Sequence, residues 1–99
     1  MPRPRIRRRI GNLPGRDFFK PAGVRMRELK EVTLNCDEYE AIRLIDFLEQ
    51  EQSEACRKMN ISQPTLSRLL KNARKKISEA IVEGKAIRIC GGDFEVCKK

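Results

Sequence analysis

The apolar positions of this chain fall into blocks of different period, and each block predicts an element. From Asn35 the pattern is helical. Asn35 suits an N-cap, and Glu38 three residues on completes a capping box. Leu34, just before the cap, can staple onto Tyr39, and Ala41, Ile42, Ile45 and Leu48 recur at helical spacing to give one core face. The stretch "QSEACRKM" reads as a short second helix with Ala55, Cys56 and Met59 inward. Asn60 then tolerates the left-handed backbone of a tight turn. Ile61 plugs the core, Ser62 caps the next helix, and Pro64 sits in its first turn, where a missing N–H costs little. A long helix from Gln63 to Glu83 follows. Leu66, Leu69, Leu70, Ala73, Ile77, Ala80 and Ile81 trace one apolar stripe along it, and Gly84 ends it as a C-cap.

After Gly84 the period changes to two. "KAIRIC" alternates apolar and polar residues and reads as a short strand. A strand needs a partner, which either the segment Val24 to Leu34 or a second copy of the chain supplies; a homodimer is therefore one expectation. Val24 to Leu34 itself fits a strand or a short helix. Ahead of it, Phe18 and Phe19 followed by Pro21 and Gly23 suggest an extended segment whose aromatics dock on the core. Residues 1–16 carry six arginines and no acid, and Pro2, Pro4 and Pro14 oppose helix there. The organisation expected is a basic, flexible arm over 1–16, an extended or mixed segment over 17–34, a helical domain over 35–84, and a short strand and tail over 85–99.

Composition narrows the function classes. With 99 residues, 39% hydrophobic, 5% aromatic and no Trp, the chain has enough apolar material for one modest core built from Leu, Ile and Ala. The net charge of +8 points to a polyanionic partner. No apolar run approaches the roughly 20 residues of a spanning helix. The basic start has no apolar stretch or cleavage site of a secretory signal, so a cytoplasmic location is expected. There is no His, and hence neither the commonest general base nor the commonest metal ligand. No Gly-rich phosphate loop or activated nucleophile stands out either. The reading is of a protein that is not an enzyme and uses no cofactor, membrane or small-molecule substrate.

Charge is unevenly distributed. The first helix is acidic, with Asp37, Glu38, Glu40, Asp46, Glu49, Glu51 and Glu54 expected on its exposed side against Arg43 alone. From Cys56 to Lys76 the sign reverses: Arg57, Lys58, Arg68, Lys71, Arg74, Lys75 and Lys76 occur with no acid among them. A small residue, a turn-former and fixed apolar plugs (Cys56, then Asn60, then Ile61, Leu66 and Leu69) form the pattern of a helix-turn-helix. Many helical hairpins imitate it, and a basic face is often simply solvated. Here Arg68, Lys71 and Lys75 share one face of the long helix, away from its leucines. Gln63, Thr65, Ser67 and Arg68 cluster at its N-terminal end, the part a recognition helix offers to base edges. Gln can bond adenine twice, Arg can do the same with guanine, and a Thr methyl can touch thymine. Gln63, Thr65 and Arg68 are thus the candidate base contacts, and Ser67, Lys71 and Lys75 the candidate phosphate contacts.

The stretch from Asn35 to Ile81 resembles the region-4 helix-turn-helix of sigma factors. More widely, "RPRIRRRI", "FKPAG", "EAIRLID", "ISQPTLSRLLKNARKKI" and "GKAIRICGG" resemble, in that order, a family of small uncharacterised prokaryotic proteins with a sigma-like helix-turn-helix. The resemblance covers nearly the whole chain. It implies a mainly α, DNA-binding domain with a role in transcription, and a double-stranded DNA partner. Two positions depart from it. Gln50 and Glu51 stand where an apolar residue and Ser are usual, which leaves Leu48 or Phe47 to fill the gap, and Asn60 stands where Gly is usual.

The remaining motifs have weaker readings. Arg3 and Arg5 of the arm either add non-specific phosphate affinity or enter a narrow minor groove, and deleting residues 2–9 is expected to weaken binding broadly. Cys36 and Cys56 behave as small hydrophobes. Cys90 and Cys97 admit a disulfide or half a metal site, but a zinc site wants four ligands with closer pairs, so no metal is expected. Two alternatives therefore stand beside DNA binding: a module contacting transcription machinery, and a redox- or metal-responsive regulator using Cys90 and Cys97. RNA binding is disfavoured by the scarcity of stacking aromatics near the basic helix.

Overall fold

The computed structural model describes residues 8–10, 18–91 and 94–96. Arg3, Arg5 and Cys97 lie outside the described residues, and with them the expectations for most of the arm and for the Cys90–Cys97 pair. Among the described residues no helix is long and apolar enough to cross a membrane.

Three helices carry the fold. α1 spans Cys36–Ile42, α2 spans Gln52–Met59 and α3 spans Gln63–Glu83. At the start of α1, Glu38 reaches back to accept from the Asn35 backbone N–H at 2.9 Å, the reciprocal half of the expected capping box. Asn60 takes the left-handed conformation (φ 57, ψ 49) that its side chain tolerates. The Ser62 hydroxyl caps α3 by accepting from the Thr65 N–H, and Gly84 closes it at φ 69.

Two small sheets flank the helices. β2 (Phe18–Phe19), β4 (Ala86–Ile89) and β3 (Glu31–Leu34) form one in the order β2-β4-β3, with β4 antiparallel to β2 and parallel to β3. The segment Val24 to Leu34 is therefore both elements in turn, a 3-10 turn at Met26–Glu28 and then β3, and it supplies β4 with a partner from the same chain. The second sheet pairs β1 (Arg8–Ile10) in parallel with β5 (Phe94–Val96). β1 lies within the segment expected as the arm. Ile10 is fully buried in the core, so the chain is held from residue 8 by an apolar anchor inside the arginine run.

The core has two parts. Ala41, Leu44, Ala55, Met59, Leu66, Leu69 and Leu70 pack where α1, α2 and the first half of α3 meet. Ile10, Leu34, Cys36, Ala73 and Ile89 pack between the strands and the second half of α3, and Ile42 touches both clusters. Ala55 is fully buried and Cys56 only partly, so the small inward position of α2 is Ala55.

Three further expectations fail for identifiable reasons. Leu48 and Phe47 do not fill the gap after α1; Phe47 is 77% exposed and Leu48 44%. Residues Arg43–Phe47 form a π-helical turn in which the Leu48 N–H donates to the Arg43 carbonyl at 2.9 Å. The wider turn rotates the positions after Ile45 off the core face and brings Leu44 inward instead. The apolar stripe of α3 ends at Ala80, and Ile81 is exposed, as are Val82 and Phe19. Most consequentially, α1 does not expose an acidic side: Asp37, Glu38 and Glu40 are buried.

Candidate nucleic-acid interface

Burying three carboxylates demands partners, and the partners sort the basic residues of the chain into two groups. Glu40 holds Arg43 through two bonds of 2.6 and 2.9 Å, and that contact pushes the guanidinium pKa up. Glu38 accepts from Lys76 of α3 at 2.6 Å. Asp37 accepts from the Glu38 N–H at 2.8 Å. Just beyond α1, Asp46 takes Arg74 of α3 in a two-bond pair of 2.7 and 3.1 Å, which raises the Arg74 pKa. Lys76 thus ties α3 to α1, and Arg74 ties it to the turn that follows α1.

Arg68, Lys71 and Lys75 belong to the other group. All three are exposed. At about 100° per residue they fall within an arc of roughly 60°, on the side of α3 away from Leu66, Leu69 and Leu70. Among the described residues no hydrogen bond or ion pair engages Arg68 or Lys71. Lys75 lies near enough to Glu79 to help lower that carboxyl's pKa, after the larger effect of Lys85. Ser67 is exposed at the edge of that arc, whereas Gln63 is exposed at the N-terminal end of α3, close to the direction of Leu70. The first half of α3 therefore presents an outward strip of Ser67 and three cations with no acid, and Gln63 stands exposed at its N-terminal end. The strip has a rigid base, because the opposite side of the same turns is the best-buried part of the core.

Thr65 is the predicted contact that sits differently. It is partly buried, and its hydroxyl lies 2.9 Å from the Ser62 hydroxyl, so its polar atom completes the helix cap rather than facing outward. One polar residue of this surface was missed by sequence reasoning. Gln52, the first residue of α2, accepts a hydrogen bond at its Oε1 from Nε2 of Gln63, the first residue of α3, at 3.0 Å. The signal was available: two glutamines, each opening one of two consecutive helices.

The cysteines make a different environment. Cys36 is buried and its thiol pKa is pushed up by burial, then by Cys90 and Asp37 nearby; burial also raises Cys56. Raised thiols are poor nucleophiles and poor ligands. Among the described residues no group of three or more His, Cys, Asp or Glu side chains is placed to hold a metal ion.

On the sheet side, Arg88 lies over the Phe18 ring at 4.7 Å and pairs with Glu31 through two bonds of 3.2 Å, lowering the Glu31 pKa. Phe18 is thereby half-buried beneath a cation, while Phe19 lines a shallow apolar cavity of about 340 Å³ with Pro21, Ala80, Ile81 and Ile87.

The sequence is similar to bacterial proteins along almost its whole length. A UPF0251 protein of Pelotomaculum thermopropionicum is 48% identical over 96 residues, which cover 97% of this chain and 73% of that protein. A UPF0251 protein of Halothermothrix orenii is 48% identical over 98 residues, 99% of this chain and 73% of the relative. One from Dehalococcoides mccartyi is 50% identical over 96 residues, 97% and 82% respectively. No solved structure matches. A family model described as "Protein of unknown function DUF134" matches residues 1–97, and with relatives this similar over nearly its full length the chain belongs to that family.

Proposed function

We propose that this protein binds double-stranded DNA sequence-specifically, with α2 and α3 acting as a helix-turn-helix of the sigma region-4 kind, and that it regulates transcription. The observation that carries the reading is the sorting of cations on α3. Lys76 is held by the α1 carboxylate Glu38 and Arg74 by Asp46 in the turn after α1, whereas Arg68, Lys71 and Lys75 remain on an exposed strip without acids. A structural helix needs no such strip, and a helix lying in a major groove does. In this reading Gln63 and Arg68 meet base edges, and Ser67, Lys71 and Lys75 meet phosphates. Thr65 shapes the entry turn through its bond to Ser62. Arg3 and Arg5 add contacts from the arm. Two copies would read half-sites about 34 Å apart.

The test is a fluorescence-anisotropy titration against random duplex DNA and single-stranded RNA at several salt concentrations, comparing wild type with Gln63→Ala/Arg68→Ala. Duplex preference, steep salt dependence and a loss in the double variant are expected. No duplex binding at low salt would reject the reading. A second reading, a module that contacts other proteins of the transcription machinery, is favoured by the exposure of Phe47 and Leu48 at the corner between α1 and α2. Retained binding to such a partner after Arg68 and Lys71 are removed, with loss on Phe47→Ser, would favour it. The redox- or metal-responsive alternative rests on Cys90 and Cys97, and Cys97 lies outside the described residues.

A further inference from the structure

We infer that Gln52 and Gln63 form a fixed amide pair that reads adenine, with Gln52 as the positioning residue; this rests on the DNA-binding reading above. The two side chains are exposed, come from the first residues of consecutive helices, and meet at 3.0 Å with Gln63 Nε2 donating to Gln52 Oε1. An exposed glutamine otherwise samples many rotamers and presents its amide in either sense. The bond removes that freedom. It commits one Gln63 N–H to Gln52 and leaves the second N–H and Oε1 of Gln63 for a base.

A donor beside an acceptor is the complement of adenine in the major groove, where N7 accepts and the N6 amino group donates. Guanine offers two acceptors, N7 and O6. A free glutamine could turn both N–H groups toward guanine, but Gln63 cannot while one of them is held, and its Oε1 would then oppose O6. The contact therefore adds discrimination against guanine as well as affinity for adenine. Gln52 keeps both of its own N–H groups, which suit a phosphate oxygen beside the same base.

The experiment selects duplexes from a random pool with the full chain, then measures affinity for the selected site with each base at each position. Wild type is expected to require adenine at one position per half-site, and Gln63→Ala to lose that requirement. Gln52→Ala is expected to keep its thermal midpoint and its preferences elsewhere, while adenine-over-guanine discrimination at that one position falls about tenfold. Gln52→Glu retains the acceptor and should restore the preference at lower overall affinity, since its charge opposes phosphate. Replacing that adenine by 7-deaza-adenine should weaken wild type and leave Gln63→Ala unaffected. Intact adenine preference in Gln52→Ala, or a uniform loss for all sequences, would overturn the inference while leaving DNA binding standing. A pool from which nothing is selected would overturn the DNA-binding reading itself.

Discussion

The division of the α3 cations has a quantitative consequence in salt titrations. Each phosphate neutralised contributes about 0.9 to the slope of log affinity against log salt on B-form DNA. Lys71 is exposed and unengaged among the described residues, so its ammonium is available to a phosphate. Lys71→Ala should reduce the magnitude of the slope by about 0.9, which between 50 and 200 mM salt changes the wild-type to variant affinity ratio about 3.5-fold. The same variant should unfold at the wild-type temperature, because nothing in the fold depends on its charge. The control keeps net charge constant: Asp46→Asn/Arg74→Gln removes the two-bond pair of 2.7 and 3.1 Å that ties α3 to the end of α1. That pair is part-exposed and its loss should cost at most about 1 kcal/mol of stability, with the slope unchanged. Anisotropy at four or more salt concentrations, with thermal melts of the same preparations, reads both quantities. An unchanged slope in Lys71→Ala, or an equal fall in the Asp46/Arg74 double variant, would refute the idea that ion pairing separates structural cations from DNA-facing ones.

Other predictions concern the fold beneath that strip. Lys76→Met strands the buried Glu38 carboxylate with only the Asn35 N–H, and urea denaturation should show a loss of about 1–3 kcal/mol, less than for a fully buried pair because Lys76 is part-exposed; adding Glu38→Gln should recover part of it. Glu49 adopts φ 57, so Glu49→Gly should relieve about 1–2 kcal/mol of backbone strain against about 0.5–1 kcal/mol of added chain entropy, a net gain in urea unfolding. Glu31 and Glu79 have pKa values lowered by Arg88 and Lys85, so the folded state binds their protons less readily than the unfolded chain does. Their stabilisation is complete above the ordinary carboxyl value of 4.5 and fades as pH falls through the lowered folded values, and in thermal melts Glu31→Gln/Glu79→Gln should flatten that acid limb.

Legibility in the sequence followed the range of the interactions. The cap at Ser62, the left-handed Asn60, the C-cap at Gly84 and the bounds of α3 were readable because each depends on side chains within a few residues of one another. The candidate cations Arg68, Lys71 and Lys75 were readable for the same reason: helical period alone puts them opposite the leucines, while Gln63 and Ser67 were singled out by their place at the start of the helix. What failed was non-local. Asp37, Glu38 and Glu40 look like a solvated face until Lys76, 38 residues after Glu38, arrives beside it. Ile10 looks like an interruption in an arginine arm until β5 pairs with its strand. The π-turn at Arg43–Phe47 leaves no periodic mark, since one wide turn shifts every later position without changing the residues themselves.

These misses bear on function, because they change which charges are free. Read from the chain alone, the protein is a dipole, with an acidic helix facing away from nucleic acid and a basic helix facing it. In the fold the acids of α1 are turned inward and Glu38 recruits Lys76 from the basic run, while the exposed Asp46 beyond α1 recruits Arg74. The surviving asymmetry is smaller in charge but sharper in position. Its most ordered part lies on the first half of α3, whose inner side is packed by Leu66, Leu69 and Leu70 and whose outer side carries Arg68, Lys71 and Lys75. A groove-reading helix needs that combination, since base contacts discriminate only when the backbone carrying them cannot shift to accommodate the wrong base. In the proposed function the buried Glu38 would serve recognition indirectly: through Lys76 it anchors the second half of α3 and so fixes the angle at which the first half is offered.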